Sequence, residues 1–548
     1  MKNKKDLFFF ICLLLLYFLY LYRAKYGIVS DDESLYLAIP YRIMTGDALL
    51  CDEWNLSQLS GIILLPLLKI YYCIFKNIDG LYLFFRYIFV SYNLFVAIVS
   101  SRILKRNVNN DLYIFIPLLY FCFIPYRIFS LSYNTMLLSF IYLIVIILLK
   151  NSISSNNCIV IGILLALAVL SNPYIIIIYF LYAILAVVLN GKNNLFSFKS
   201  LLYISFGSII IFIYFLCIIF HNNTNIIDIL KNIPYMLSDP THSSSLISKI
   251  IEPIVGYLIT YKYYYLLWIC LAIPLVLKKY RDLFISINFA YSLVFTIFMS
   301  LFRSRGFGYS GLGVNSIMMN VAIIGFVLII LKKVNNKKYV CIYLLGFIYS
   351  LLVHVASNQG LYVFSIGSTI MTIATFFMLI DYYKENDKIV YFVIIVQILC
   401  EIIVILSGCY FDENILNLNH VVDKGSFKGI ITTLDKKTKY EDVIDDILNY
   451  DYQNKRVLFF KNLPYAYLET NSLVGSYSVW NETDSINSEM YKNYYSIHPE
   501  MVPDIIYVEK DIASNNLSEF ITYALSNNYY YELLPSGAMV LERKTLND

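Results

Sequence analysis

Ser30-Asp31-Asp32-Glu33-Ser34-Leu35-Tyr36 places three consecutive acids shortly after the apolar run Leu7 to Tyr22. Met44-Thr45-Gly46-Asp47 and Cys51-Asp52-Glu53-Trp54 follow in the same polar stretch. Carboxylates so placed can stay ionised near lipid headgroups while facing a cavity between helices. That suits a general base, which needs an ionisable group within hydrogen-bond reach of the proton it takes. Asp31, Asp32, Glu33, Asp52 and Glu53 together also offer oxygen ligands for a hard divalent cation. The plain alternative is a solvated loop, since charge runs usually are solvated faces.

Positive groups come from elsewhere in the chain. Arg303 and Arg305 stand in Phe302-Arg303-Ser304-Arg305-Gly306-Phe307-Gly308-Tyr309-Ser310-Gly311-Leu312-Gly313. Closely spaced glycines let backbone approach an anion, and arginines hold phosphate through charge-assisted hydrogen bonds. Arg127 and Arg42 are further phosphate candidates, with snorkelling to headgroups as the alternative. His354 and Asn358 form a polar pair at the end of an apolar run. Polar residues at membrane depth invite a functional reading, though a histidine near a helix end is as well explained as a cap. His242 and Ser243-Ser244-Ser245 show no local nucleophile-base-acid arrangement.

The elements that position these groups follow from composition. Of 548 residues 59% are hydrophobic and only 15% charged, with a mean hydropathy of +0.65. A soluble protein has about 25% charged residues, so the solvent for this surface is a bilayer. The net charge of +4 is too small to argue for nucleic acid. Nine of the ten cysteines lie in or beside apolar runs, and none is spaced for a metal site. The abundance of Asn, Ile, Lys and Tyr fits an AT-rich bacterial genome.

A helix needs about 20 apolar residues to cross a bilayer. Beyond the first run, spans are expected at 81–100, 112–127, 133–149, 158–171, 173–190, 201–220, 254–277, 284–302, 316–331, 339–355, 361–380 and 389–409. That makes about 13 in all. The run 61–75 is interrupted by Pro66 and Lys69 and is expected to lie in the interface. Alternation then puts Arg102/Lys105/Arg106, Lys192/Lys199, Lys278/Lys279/Arg281, Lys332/Lys333/Lys337/Lys338 and Lys384/Lys388 on the side of the N-terminus. Basic loops are cytoplasmic, so loops 23–80, 221–253 and 303–315 and everything after Cys409 lie outside. The expected fold class is an all-α polytopic membrane protein over 1–409. A small extracytoplasmic α/β domain is expected over 410–548, with strands at 457–460 and 505–508 and helices at 441–450 and 517–525. Tyr465, Tyr467, Tyr477 and Trp480 are its candidate carbohydrate contacts, or its core.

Asp32-Glu33-Ser34-Leu35-Tyr36, then Met44 and Gly46-Asp47, resemble the Asp-Glu-x-x-Tyr…Met…Gly-Asp opening of the first outer loop in GT-C membrane glycosyltransferases. The chain is closest in pattern to the branch with aminoarabinose transferases and protein O-mannosyltransferases. The Glu-Lys-Pro-like segment of that branch is replaced here by Asn55-Leu56-Ser57-Gln58-Leu59-Ser60-Gly61, which argues against aminoarabinose transfer itself. The resemblance implies inverting transfer from a polyprenyl-phosphate-linked sugar to a cell-envelope glycan, lipid or protein. It makes Asp32 the base, with Asp31 as the other register, and Glu33 and Tyr36 shaping the surroundings. Arg42, Arg127, Arg303, Arg305, His354 and Asn358 are the candidate substrate-binding residues. No cofactor is implied, a divalent cation being optional, and the setting would be the bacterial plasma membrane. The rival readings are a flippase for lipid-linked oligosaccharide and an O-antigen polymerase or ligase.

Overall fold

In the computed structural model, residues 2–189, 196–222, 224–237, 247–249, 251–252, 254–255, 274, 276–298, 300–301, 312–357, 360–384, 386–460, 462–480, 488–510 and 529–544 are described. Apolar runs become helices: α1 (Lys2–Arg23), α4 (Leu81–Asn107), α5 (Leu112–Cys122), α6 (Tyr133–Leu148), α7 (Ser155–Ser171), α8 (Ile176–Val188) and α9 (Phe198–His221). After α10 (Ile226–Leu237) come α11 (Arg281–Phe298), α12 (Leu312–Ile330), α13 (Lys337–Ser357), α14 (Gly360–Tyr382) and α15 (Lys388–Ser407). Eight helices among the described residues are long and apolar enough to cross a membrane, and five shorter apolar helices accompany them. The expected span 254–277 lies largely outside the described residues.

Ion pairs and hydrogen bonds sort the helix ends. Lys5 pairs with Asp111 at 2.6 Å, and Lys105 pairs with Asp6. Lys338 reaches the Lys150 carbonyl at 2.7 Å, the Asn151 amide meets Asn107, and Lys333 pairs with Asp282 at 2.7 Å. The N-terminus and the loops near 105–111, 150, 282 and 333–338 therefore share one end. The opposite end carries the C-terminal layer: Arg23, closing α1, donates to the carbonyls of Ile405 and Gly408 at 2.8 and 2.7 Å.

Two helices after α1 belong to the first loop, α2 (Asp32–Met44) and α3 (Gly61–Phe75). With the turn at Leu56–Ser60, α3 makes an apolar helix 20 residues long. Both its flanks nonetheless touch the C-terminal layer. The Trp54 amide donates to the Tyr477 carbonyl at 2.7 Å, and the Gly80 amide to the Gly425 carbonyl at 3.1 Å. The chain thus returns to the end it started from.

Two helices break where proline dictates. Asn172 precedes Pro173 and is extended (φ −150°, ψ 110°), which ends α7, because a residue before proline is pushed out of the helical region. After α5, the segment Pro125-Tyr126-Arg127 forms a short turn with Tyr126 and Arg127 at positive φ. Ser132 and Thr135 then start α6 with a reciprocal capping box. Where α7 crosses α9, Gly162 and Gly207 let the backbones meet. A Cβ on either would stand 2.0 or 2.1 Å from a carbonyl oxygen of the other helix.

The C-terminal layer opens with an antiparallel pair, β1 (His420–Val421) and β2 (Ile431–Thr432), and continues as a five-stranded sheet in the order β4 (Leu473–Val474), β3 (Arg456–Phe460), β5 (Ile505–Val508), β7 (Met539–Arg543), β6 (Tyr529–Leu533). The strands β4, β3 and β5 run parallel, while β7 and β6 are antiparallel additions. The helices α16 (Leu434–Leu448), α17 (Pro464–Thr470) and α18 (Ser488–Ile497) pack around it. Strands appear at 457–460 and 505–508 as expected, and the expected helix at 517–525 lies outside the described residues. A single buried apolar cluster runs from the helices through Tyr82, stacked 4.1 Å from Phe427, into this layer.

Candidate active site

Loop 1 reaches its place through backbone. The segment around Tyr26 lies as a strand against Ile431, with Gly27 N to Ile431 O at 2.8 Å and Ile431 N to Lys25 O at 2.7 Å. Gly27 has φ +87°, and a Cβ there would meet Cys409 at 2.5 Å, so only glycine lets the chain pass. Asp412 then accepts from the Ile28 amide at 3.0 Å and from Thr432 at 2.6 Å. The chain turns directly into α2, with Asp31 at its N-cap position and Asp32 and Glu33 in its first turn. The positive end of a helix dipole favours carboxylates there.

The three acids part ways at this point. Glu33 is fully buried and bidentate on Arg86, at 2.8 and 2.5 Å. Arg86 also donates to the carbonyls of Ala24 and Gly27, so the pair clamps the loop rather than facing a cavity. Asp31 and Asp32 are half-buried and line a cavity of about 740 Å³. Burial pushes the Asp31 carboxyl above its ordinary range, against the pull of a Ser30 hydroxyl at 3.0 Å and of Lys436. Tyr36, one helical turn on, shares the wall; burial and then the Asp32 charge push its phenol up. Its ring meets Tyr133 edge-on at 5.8 Å.

The cavity floor is made where helices break. Tyr126 and Ile128 line it beside the α5–α6 break, Ser171 to Tyr174 at the α7–α8 break, and Val353, Ala356 and Ser357 at the end of α13. The roof is the C-terminal layer: Tyr410, Phe411, Lys436, Lys439, Tyr440, Asn462, Leu463, Tyr465, Trp480 and Glu509. Lys436 is half-buried, lies 4.0 Å from Asp412 and donates to the Phe411 carbonyl; burial lowers its pKa. Lys439 pairs with the buried Glu509 at 3.2 Å.

Among the residues read from the sequence, Asp31, Asp32 and Tyr36 come together on this wall. Arg42 does not join them. It is 1% exposed and binds Asp47 at 2.7 Å, Glu53 at 3.0 Å and the Tyr494 hydroxyl at 3.0 Å. Arg127 is buried beside Gly408, off the wall, although both of its neighbours line it. His354 is buried with Nε2 at 2.6 Å from the Lys249 carbonyl and is likewise off the wall. Arg303, Arg305 and Asn358 lie outside the described residues. The five acids weighed for a cation are dispersed, Glu33 onto Arg86 and Glu53 onto Arg42. Among the described residues no cluster of His, Cys, Asp and Glu could hold a metal ion.

Tyr465 and Trp480 line the cavity, whereas Tyr467 is core and Tyr477 packs on Trp54 and Tyr491. The helix α10 is anchored: Asn232 accepts from the Trp54 indole at 2.8 Å and faces His498 at 3.0 Å, while Tyr235 stacks on Trp54 at 4.9 Å. Lys436, Lys439, Asn462 and Glu509 went unnoticed in the sequence because nothing local marks them. Their common feature is a position at element starts and strand ends of one small layer.

No protein-family model matches the chain, and no curated protein matches it. Solved structures of ArnT from Cupriavidus metallidurans do. The apo form is 10% identical over 98% of both chains with a TM-score of 0.42, and the undecaprenyl-phosphate complex 11% identical over 100% and 99% with 0.44. AglB, the oligosaccharyltransferase of Archaeoglobus fulgidus, in complex with an inhibitory peptide and a dolichol-phosphate, is 10% identical over 98% of this chain and 74% of its own, with 0.45. At these identities and scores the likeness assigns neither substrate nor residue roles to this chain.

Proposed function

We propose that this chain is an integral-membrane glycosyltransferase that moves a sugar from a polyprenyl-phosphate donor to a cell-envelope glycan, lipid or protein. The observation that carries the reading is the cavity wall on which Asp31, Asp32 and Tyr36 meet, between helix breaks below and a polar layer above. A lipid-linked donor enters such a cavity from the helix side, and a water-borne acceptor from the side of the layer. The acceptor hydroxyl oxygen attacks the anomeric carbon while Asp32 takes its proton. The bond from that carbon to the phosphate oxygen breaks with inversion, and its electron pair leaves on polyprenyl phosphate, a stable anion needing no strong acid.

Asp32 is preferred to Asp31 as base on register: it is the Asp of the Asp-Glu-x-x-Tyr pattern, and Tyr36 lies one helical turn on along the same cavity wall. For the departing phosphate we retain Arg303 and Arg305, in the glycine-rich loop expected on this same outer face. The cavity would then open outside the plasma membrane, with the basic loops in the cytoplasm.

The test is transfer of radiolabelled sugar from polyprenyl phosphate in membranes holding wild type, Asp32→Asn or Asp31→Asn at matched protein level. A positioned base contributes about 10²–10⁴ in rate. Loss of that size in Asp32→Asn, with Asp31→Asn active, is expected. Wild-type rates in Asp32→Asn would remove the base assignment, and no transfer by wild type from any donor would remove the reading.

A further inference from the structure

The roof of the cavity holds groups that the transfer step leaves idle. Asn462 lies on the wall, 8% exposed, at φ +50°. Its Oδ1 is buried and has no hydrogen-bond partner among the described residues. A buried amide oxygen left unpaired is a standing cost that a ligand donor would relieve.

Topology singles out the same spot. Strands β3 and β5 are neighbours and parallel, paired from Val457 with Ile505 to Phe460 with Val508. Asn462 comes two residues after the last paired residue of β3, and Glu509 directly after that of β5. From β3 the chain crosses to β4 on one side, whereas β5 lies on the other. A crevice outside the carboxyl ends of such strands is where open α/β sheets bind ligands. Here that crevice opens into the cavity: Glu509, ion-paired with Lys439, supplies acceptor and donor, and the half-buried Trp480 on the same cavity wall supplies a ring face.

We propose that this crevice is a saccharide subsite for the acceptor. Asn462 and the Lys439–Glu509 pair hydrogen-bond ring hydroxyls, and the ring of Trp480 stacks on the sugar. A few fixed polar groups among aromatic walls is the chemistry that reads a hydroxylated ring. The position suits an acceptor rather than a donor. Asp31, Asp32 and Tyr36 line the same cavity as Lys436 and Lys439 of the roof, and a sugar held by the roof meets the acids at that seam. The term acceptor rests on the transferase reading, whereas saccharide binding does not.

The experiment uses the full chain in detergent and oligosaccharides released by mild acid from the envelope of the cells that make it. Binding is followed by saturation-transfer NMR, and acceptor and donor KM by the transfer assay. Asn462→Gly keeps the left-handed backbone while removing the amide, and Glu509→Gln removes the charge. About tenfold weaker binding in Asn462→Gly, the value of one hydrogen bond, is expected with an unchanged thermal midpoint. Acceptor KM should rise likewise while donor KM stays. Wild-type affinity in both variants, a rise in donor KM alone, or no saturable binding by wild type would each overturn the subsite. Binding without transfer in wild type would leave the subsite standing and remove the transferase reading instead.

Discussion

Replacing Arg42 by Met asks whether this arginine joins loop 1 to the C-terminal layer or holds a substrate phosphate. Its Nε meets Asp47 at 2.7 Å, one terminal nitrogen meets Glu53 at 3.0 Å, and the other meets the Tyr494 hydroxyl at 3.0 Å. The side chains of Asp47 and Glu53 are 6% and 5% exposed. Asp47 keeps Arg456 at 3.3 Å after the substitution, but among the described residues Glu53 is left with only the backbone amides of Asn55 and Val479. Removing one partner of a buried ion pair costs about 3–5 kcal/mol, because the other charge stays buried. Asp52 shares the pocket, pushed up to about 7 by burial and by Asp47, so protonation partly relieves the strain there. The expected result is a lower thermal midpoint in detergent, with a larger loss at pH 8 than at pH 5. Adding Glu53→Gln should recover part of it. Arg42→Lys should not, since one ammonium cannot span three directions. An unchanged midpoint at pH 8 together with a raised donor KM would refute this reasoning and make Arg42 a phosphate ligand.

Asp52 alone should shape stability against pH. Its folded value, about 7, stands above the unfolded 3.8, so the native state holds a proton that the unfolded chain has released. Stability should therefore fall as pH rises from about 4 towards 7 and level off above, and Asp52→Asn should flatten that slope in midpoint scans. Glu33→Ala and Arg86→Ala should each destabilise, and the double variant should be no worse than either, because both remove one buried pair. Full additivity would deny the clamp. Gly162→Val and Gly207→Val should each cost about 1–3 kcal/mol through backbone displacement where α7 crosses α9, read as a lower midpoint. Wild-type midpoints in both would refute the crossing.

The helices were legible because a bilayer asks only for length and apolarity, and runs such as Leu81 to Ser100 satisfy both. The strands Val457 to Phe460 and Ile505 to Val508 stood out as short apolar runs between polar stretches. What escaped was everything decided by distant partners. Arg42 looked available beside the acids, yet Tyr494, 452 residues on, takes one of its nitrogens. Tyr467 and Tyr465 look alike in sequence and both are buried, but only Tyr465 borders the cavity.

Asp31, Asp32 and Glu33 show how far residue type falls short of residue role. Successive helical positions point about 100° apart, so three adjacent acids at the start of α2 cannot share one environment. Glu33 turns into the protein and meets Arg86, contributed by α4 at 53 positions' distance. Asp31, at the cap, turns towards the lysines of the C-terminal layer. Asp32 turns towards Tyr36, which lies four positions on and therefore on the same helix face. The spacing Asp-x-x-x-Tyr is thus a statement about one face of one helix. That face lines the cavity while Glu33, on the adjoining face, is held by Arg86.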